Sequence, residues 1–377
     1  MTRLNRLQAW ACRSPISTPV ETSFGRMRDR PAVFVRIEDD EGGFGWGEIF
    51  ANWPAAGAEH RVNLLAEDIA PLLLGQDISA PDCIFHSLER KTHIRALQCG
   101  EFGPFRQVLA GLDQAMWDLK ARRAGETVHQ TLGSTRVTKV PAYASGIHIS
   151  AAAKVIPQAR DLGFCSFKVK VGFGDENEAM IIRDIHSGLS AGEMLMLDAN
   201  QAWDVAQAEA FLNKVADLPI GWIEEPIRAD SGERDWLRLA GQIPLAGGEN
   251  IAGIDAFDAT LNLGALDVYQ PDIAKWGGFT GCLAVAGHAI ARGHSYCPHF
   301  LGGGIGLAAS AQLLAAAGGP GLLEVDVNPN PLRDAFGSIG TRVQDGFWLL
   351  DQAAGIGLTG LPEEVRACIT HQCERTR

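Results

Sequence analysis

Lys168, Asp198, Glu224, Glu249, Asp272, His299 and Glu324 recur at intervals of about 25 residues, each at or near the end of a short apolar run and just ahead of a helix-like segment. One strand and its returning helix occupy about 25 to 30 residues, so this period predicts a ring of parallel strands with a reactive side chain at each strand end. In such a ring the polar groups gather at one mouth, and chemistry belongs there.

The chain has 377 residues, enough for two domains, and its 46% hydrophobic and 21% charged content is that of a soluble globular protein. A formal net charge of -12 argues against nucleic acid as the partner, because phosphate binding needs a basic face. A small molecule is expected instead. The N-terminal MTRLNRLQAW lacks the continuous apolar core of a signal peptide, which points to the cytoplasm. Leu301 to Leu323 is uncharged and long enough to span a bilayer, but its glycines, Pro320, Ser310 and Gln312 interrupt it. Only Ile305 to Ala317 reads as helix, of the kind buried against a barrel, and no membrane partner is expected. The cysteines form no CxxC pair and read as free thiols.

Residues 1–130 read as an α+β domain. Val33, Val35 and Ile37 alternate with Phe34, Arg36 and Glu38, and the Gly42-Gly43 turn leads to Phe44 to Ile49, an antiparallel meander. Helices are expected over His60 to Leu74 and Phe105 to Ala124, the second with the apolar stripe Leu109, Leu112, Ala115, Met116 and Leu119. Residues 131–340 change to short strand, helix, short strand, the rhythm of a βα barrel. In residues 341–377, Phe347 to Leu361 returns to strand and turn signals and is expected to pack on the first domain.

Side-chain parity sorts the polar groups. From Cys165 to Val171 the residues Cys165, Phe167, Val169 and Val171 share one parity, and Ser166, Lys168 and Lys170 the other. Successive strand side chains face opposite ways, so the first set faces the helices and both lysines face the axis. They are expected at the open end, where mutual repulsion and partial burial lower a lysine pKa toward that of a usable base. Two solvated lysines on an edge strand are the plainer alternative. Asp198 and Asn200 share the parity of Met194 and Met196; Trp222 shares that of Glu224, and Glu249 follows the run Pro244 to Gly248. One carboxylate after a strand is commonly a helix N-cap. Three on neighbouring strands repel one another, and a hard divalent cation such as octahedral Mg²⁺ is the usual remedy. Zinc fits less well, since this cluster offers neither cysteine nor histidine. Asp272 and His299 end adjacent strands, within reach of a hydrogen bond that orients the imidazole and raises its pKa. With Val140 to Ser145 as the first strand, the lysines, the acids and the Asp/His pair fall in succession round the ring, so the metal lies between proton-transfer groups on opposite sides.

These residues, in this order, resemble the enolase superfamily and, within it, the mandelate racemase subgroup (mandelate racemase/muconate lactonizing enzyme family). The matching strings are Lys168-Val169-Lys170, Asp198-Ala199-Asn200-Gln201-Ala202-Trp203, Ile223-Glu224-Glu225-Pro226, Gly248-Glu249-Asn250, and Gln270-Pro271-Asp272 with Lys275 and Gly277-Gly278. His299, Glu324, Gly45-Trp46-Gly47-Glu48 and Gly111-Leu112-Asp113-Gln114-Ala115-Met116-Trp117-Asp118 complete the set. The resemblance implies an α/β fold, a modified TIM barrel of (β/α)7β type under an α+β capping domain. It implies Mg²⁺ on Asp198, Glu224 and Glu249. It also implies removal of a proton beside a carboxylate, giving an enediolate that Mg²⁺ stabilises. In that pattern Lys170 is one acid/base and His299, oriented by Asp272, the opposite one. Lys168 holds the substrate carboxylate and lowers the pKa of Lys170, and Glu324 hydrogen-bonds the enediolate oxygen.

Dehydration of an acid sugar to a 2-keto-3-deoxy acid is the expected outcome. Racemisation or epimerisation of a 2-hydroxy or amino acid is the alternative, and a non-catalytic binding protein on the same fold is a third reading. Specificity is expected in the capping loops Ser17 to Arg30 and Phe50 to Ala56. The first holds Arg26, Arg28 and Arg30, cations suited to a second carboxylate or several hydroxyls. Asn52, Trp53, Asn200 and Trp276 complete the expected substrate-binding set. The expected partners are a small carboxylate substrate and further copies of the chain, as a homo-oligomer.

Overall fold

The computed structural model describes residues 2–22 and 25–377. The first sheet is antiparallel: β1 (Leu4–Thr22), β2 (Gly25–Asp39) and β3 (Phe44–Ile49) form the meander, and the C-terminal strand Ile369–Thr376 adds to the free edge of β1. The alternation in β2 has a cause on each face. Val33, Val35 and Ile37 pack into the first domain's own core, with Leu109, Leu112, Ala115, Met116 and Leu119 of the Phe102–Ala124 helix. Phe34 belongs to the larger core of the barrel. A sheet with two apolar faces cannot stand in water on either, so this domain is bound to the barrel along its whole inner side. Gly47 lets it approach the Phe102–Ala124 helix: a Cβ there would lie 2.0 Å from the Gly111 carbonyl oxygen.

The long helix Pro81–Cys99 has no counterpart in the sequence expectations. Its buried positions Phe85, Leu88, Thr92 and Ala96 sit among many charges and include a polar residue, which blurs the apolar period.

Eight parallel strands follow: β4 (Lys139–His148), β5 (Ser166–Lys170), β6 (Met194–Asp198), β7 (Ile223–Glu224), β8 (Leu245–Gly247), β9 (Val268–Tyr269), β10 (Ser295–Tyr296) and β11 (Leu323–Asp326). Each pairs with the next as far as β10, and β11 returns to pair with β4. Seven α-helices, from Ala152–Asp161 to Gly304–Ala317, fill the seven intervals, which is the (β/α)7β arrangement. No ladder joins β10 to β11. There the chains touch through Gly321, where a Cβ would lie 1.8 Å from the Tyr296 carbonyl oxygen. The barrel interior is a separate small core of Tyr143, Met196, Trp222, Ala246, Val268 and Cys297. Phe167, Val169, Leu195 and Leu197 face the helices, as their parity requires. Cys165 precedes β5 and is exposed, so the strand starts one residue later than its apolar pattern suggests.

The tail meets the expectation in part. Phe347–Leu349 pairs antiparallel with Lys139, Val140 and Pro141 of β4, so this segment closes the lower end of the barrel. The later part of the segment does pack on the first domain, with the Ile356 amide donating to Asp118 at 2.7 Å and the Leu358 carbonyl accepting from Arg122, and Ile369–Thr376 adds a strand there as well. All 8 cysteines are unpaired. Among the described residues no helix is long and apolar enough to cross a membrane.

Candidate active site at the barrel mouth

Lys170, Asp198, Glu224, Glu249, Asp272 and His299 stand at or just past the C-terminal ends of their strands, while Lys168 and Glu324 stand within β5 and β11. Lys168 is 1% exposed and lies deepest, with its ammonium 5.4 Å from the Tyr143 ring centroid, 2.5 Å from Glu224 Oε2 and 2.7 Å from Glu324 Oε1. Burial alone would lower its pKa, but the two carboxylates outweigh it and hold the ammonium well above its ordinary value. This reverses the expected depression for Lys168: the lysines are separated by depth, and acids rather than each other are their nearest charges. Lys170 lies higher, donating to Asn200 Oδ1 at 2.5 Å, with Asp198 Oδ2 at 3.7 Å.

Asn200 follows β6 at φ 44°, a left-handed turn that asparagine tolerates better than most residues. Its backbone and side-chain amides both donate to Asp198, at 2.9 and 3.1 Å. The turn therefore fixes the carboxylate. Glu224 accepts from Gln270 Nε2 at 2.7 Å as well as from Lys168. Burial pushes its carboxyl up to about 7; Lys168 opposes this, while Asp198 and Glu324 add to it. Glu249 meets Lys275 Nζ at 2.5 Å and His299 Nε2 at 3.3 Å, and these cations overcome burial to hold it well below the usual carboxylate range.

Asp272 and His299 extend the β9 and β10 pairing as an isolated bridge, with Nδ1 2.7 Å from Asp272 Oδ2. Burial disfavours the imidazolium, but Glu249, Glu324 and Asp272 together raise His299 to about 9. Glu324 accepts from the Phe300 amide at 3.0 Å and from the Ser145 hydroxyl. Burial works against its charge, and Lys168 and His299 keep it ionised below the ordinary value.

Lys170, Asp198, Asn200, Glu249, His299 and Glu324 line one cavity of about 50 Å³, roofed by Thr22, Met27, Phe50, Asn52 and Trp53 of the first domain. Asn52 donates to the Leu301 carbonyl at 2.7 Å, tying that roof to the barrel. Lys168, Glu224 and Asp272 lie behind the wall and touch the lining residues.

Two expected substrate contacts are elsewhere. Arg26 is exposed on the β1–β2 hairpin and pairs with Glu21 at 3.4 Å, its strand partner. The expected loop Ser17 to Arg30 is largely this hairpin, with Ser23 and Phe24 outside the described residues. Arg28 is exposed, and Arg30 is buried against Asp326. Trp276 is 4% exposed, stacks near Phe257 and donates its indole N–H to Glu89 at 3.2 Å; it lines the adjoining larger chamber rather than this cavity. Conversely, Ser145 lines it and was not singled out, Lys275 lines it though named only within a matching string, and Met27 lines it from within the Ser17 to Arg30 segment. Parity with Tyr143 on β4 pointed to Ser145, and Lys275 follows Asp272 by one helical turn; Met27 carried no signal of its own.

The three carboxylates at the ends of β6, β7 and β8 offer only oxygen donors, the set a hard divalent cation prefers. Among the described residues no three His, Cys, Asp or Glu side chains are gathered round a single point. Nitrogens of Asn200, Lys168, Gln270 and Lys275 lie against the carboxylates instead. Glu224 is pushed up to about 7 chiefly by its burial, with Asp198 and Glu324 adding to it and Lys168 opposing. The residues fit a divalent cation in donor type.

Comparison with known proteins covers both domains. Residues 7–133 match the mandelate racemase/muconate lactonizing enzyme N-terminal domain, and residues 151–364 match the enolase C-terminal domain-like family. A mandelate racemase/muconate lactonizing enzyme structure from Bordetella bronchiseptica RB50 superposes with a TM-score of 0.91 at 42% identity, covering 98% of this chain and 100% of that one. An L-talarate dehydratase from Polaromonas sp. JS666, complexed with Mg and L-glucarate, gives a TM-score of 0.86 at 26% identity over 100% of both chains. D-galactarolactone cycloisomerase of Agrobacterium fabrum is 30% identical over 360 residues, 91% of this chain and 92% of its own. With both domains matched in order and a relative 30% identical over 91% of the chain, the chain belongs to the mandelate racemase/muconate lactonizing enzyme family of the enolase superfamily.

Proposed function

We propose that this chain is a Mg²⁺-dependent acid-sugar dehydratase, forming a 2-keto-3-deoxy acid. The observation that carries this reading is the meeting of Lys170 and His299, two proton-transfer groups from separate strands, on one cavity with Asp198, Glu249 and Glu324. The acid-sugar names of the Polaromonas and Agrobacterium relatives support the substrate class.

Asp198, Glu224 and Glu249 hold the cation, which when bound supplies a Lewis acid for the substrate carboxylate. Lys170 removes the proton from the carbon beside that carboxylate, and the bonding electrons move into it as an enediolate. Lys168 holds fixed positive charge at the same mouth, where the second negative charge develops. Glu324 hydrogen-bonds an enediolate oxygen only when protonated. A substrate carboxylate arriving beside it adds the negative charge that favours that proton. His299, aligned by Asp272, then gives its proton to the β-hydroxyl. The carbon–oxygen bond breaks, water leaves, and the resulting enol takes a proton at the third carbon to become the ketone.

Reprotonation on the opposite face is the second reading, favoured by the same two-sided placement of Lys170 and His299. A panel of aldonates, aldarates and their lactones in D₂O with Mg²⁺, followed by proton NMR and a ketone assay, separates the two. Ketone formation is expected; deuterium uptake at the α-carbon without ketone would replace dehydration by racemisation or epimerisation. Neither product, with Mg²⁺ binding unchanged in Glu224→Gln, would leave a binding protein.

A further inference from the structure

The reaction cavity of about 50 Å³ opens beside a larger chamber of about 510 Å³, and Phe50, Trp53, Glu249 and Lys275 line both. The smaller space accommodates the reacting end of a sugar acid but not its length, since pockets that enclose small ligands run to hundreds of Å³. The rest of the substrate can extend past Trp53 into this adjoining chamber, between the Phe102–Ala124 helix and the barrel. Among that chamber's lining residues the ionisable groups are Arg106, Glu249 and Lys275. Glu249 and Lys275 neutralise each other at 2.5 Å.

Arg106, from the first turns of the Phe102–Ala124 helix, is half-buried with its guanidinium 5.7 Å from the Phe102 ring centroid. Among the described residues it has no carboxylate partner. Its neighbour Gln107 is committed to Arg61, at 2.9 and 2.7 Å. The hairpin arginines are turned away or engaged: Arg26 with Glu21, Arg30 with Asp326. Arg106 is thus the cation of the chamber with charge to spare. Its planar fork suits a carboxylate bound through two parallel hydrogen bonds.

We infer that the substrate carries a second carboxylate at its far end, an aldarate rather than an aldonate, and that Arg106 binds this distal group. The inference rests on the acid-sugar reading above and specifies its class. An aldonate would set a neutral hydroxymethyl group against the guanidinium and forgo the charge-assisted pair.

The test compares kcat/KM of the Mg²⁺-loaded full chain for aldarate and aldonate pairs matched in configuration, in wild type, Arg106→Gln and Arg106→Lys. Wild type is expected to favour the aldarate by about tenfold or more, Arg106→Gln to lose about tenfold of that preference, chiefly through KM, and Arg106→Lys to keep part of it. Equal kcat/KM for the two classes in wild type, or equal losses on both in Arg106→Gln, would overturn the assignment. Calorimetric binding of the same pairs separates this from the reaction itself. Aldarate affinity that depends on Arg106 without any turnover sinks the dehydratase reading and leaves the distal site standing. Aldarates binding no better than aldonates sink the distal site.

Discussion

Lys168 and Lys170 share one strand face, yet their neighbours give them different work. Lys168 sits between Glu224 and Glu324 at 1% exposure, and its removal leaves two buried carboxylates facing each other. Breaking a buried pair in this way costs about 3–5 kcal/mol. Lys168→Met should therefore lower the metal-free unfolding free energy by roughly that amount, with part of it regained in Mg²⁺ because a bound cation replaces the missing charge. Urea melts with and without Mg²⁺ check this; an unchanged midpoint would mean that the acids do not depend on Lys168. Lys170 instead faces the cavity, bonded to a neutral amide. Lys170→Ala and His299→Asn should each lower kcat by about a hundredfold to ten-thousandfold, the usual contribution of one acid/base group. Mg²⁺ affinity should survive both changes, as neither residue is among the three carboxylates. Steady-state rates beside calorimetric Mg²⁺ titration read the two effects separately, and full activity in either variant would remove the two-sided mechanism. Much at this scale was legible in the sequence, because a period of two fixes which side chains share a face. Parity gave Lys168, Lys170, Asp198 and Glu224 a common side. It does not report charge partners contributed by other strands, so the direction of the Lys168 shift and the place of Lys275 against Glu249 emerged only from the fold.

Strand ends rather than strands carry the site. β7, β9 and β10 have two residues each, and the functional groups of β9 and β10 stand past them on a single bridge. Short apolar runs followed by a polar residue made these ends visible in the sequence. The roof was harder to read, since Ser17 to Arg30 was expected as a capping loop, whereas Val20, Glu21 and Thr22 pair locally with Met27, Arg26 and Gly25 to build a hairpin. Trp276 follows Asp272 closely in the chain, but the turn sends its indole N–H to Glu89, so it lines the larger chamber rather than the reaction cavity. The β10–β11 seam gives a test at this scale. A Cβ at Gly321 would stand 1.8 Å from the Tyr296 carbonyl, so Gly321→Ala must push β11 away, and Glu324 lies on β11. Overpacking of this kind costs about 1–3 kcal/mol. The variant should melt at lower temperature and turn over more slowly while retaining Mg²⁺ binding; wild-type melting and activity would show that the seam is loose enough to absorb a methyl group.

The two domains are joined through polar groups buried between them. Gln114 of the Phe102–Ala124 helix donates to the Ile273 carbonyl at 2.9 Å, and Asp113 accepts from the Thr280 amide at 2.9 Å near the start of the Gly278–Ala291 helix. Glu48 of β3 accepts from the amides of Gly303 and Gly306, at 2.5 and 2.7 Å, at the start of the Gly304–Ala317 helix. These residues belong to the strings by which the sequence resembles its family. Their purpose was not readable there, because the partners lie far along the chain and no local period reports them. Carboxylates at helix N-termini are favoured by the exposed amides and the helix dipole, yet full burial opposes the charge. At Glu48 burial wins: the carboxyl is pushed up to about 7 from 4.5, with the two amides pulling the other way. The folded chain then keeps a proton that the unfolded chain has already lost above its ordinary carboxyl pKa. Stability from this group is fully present below about pH 4.5 and falls as pH rises to about 7, after which the loss is constant. The size is at most about 3 kcal/mol, and less to the extent that the helix amides favour the anion. Glu48→Gln keeps an acceptor for the amides and removes the titration. Between pH 5 and pH 7.5 the wild type should lose more unfolding free energy than Glu48→Gln, by about 1–3 kcal/mol, whatever the other groups contribute to both. Denaturant melts of the two proteins across that range measure the difference directly, and parallel pH profiles would show that Glu48 is ionised in the folded chain throughout.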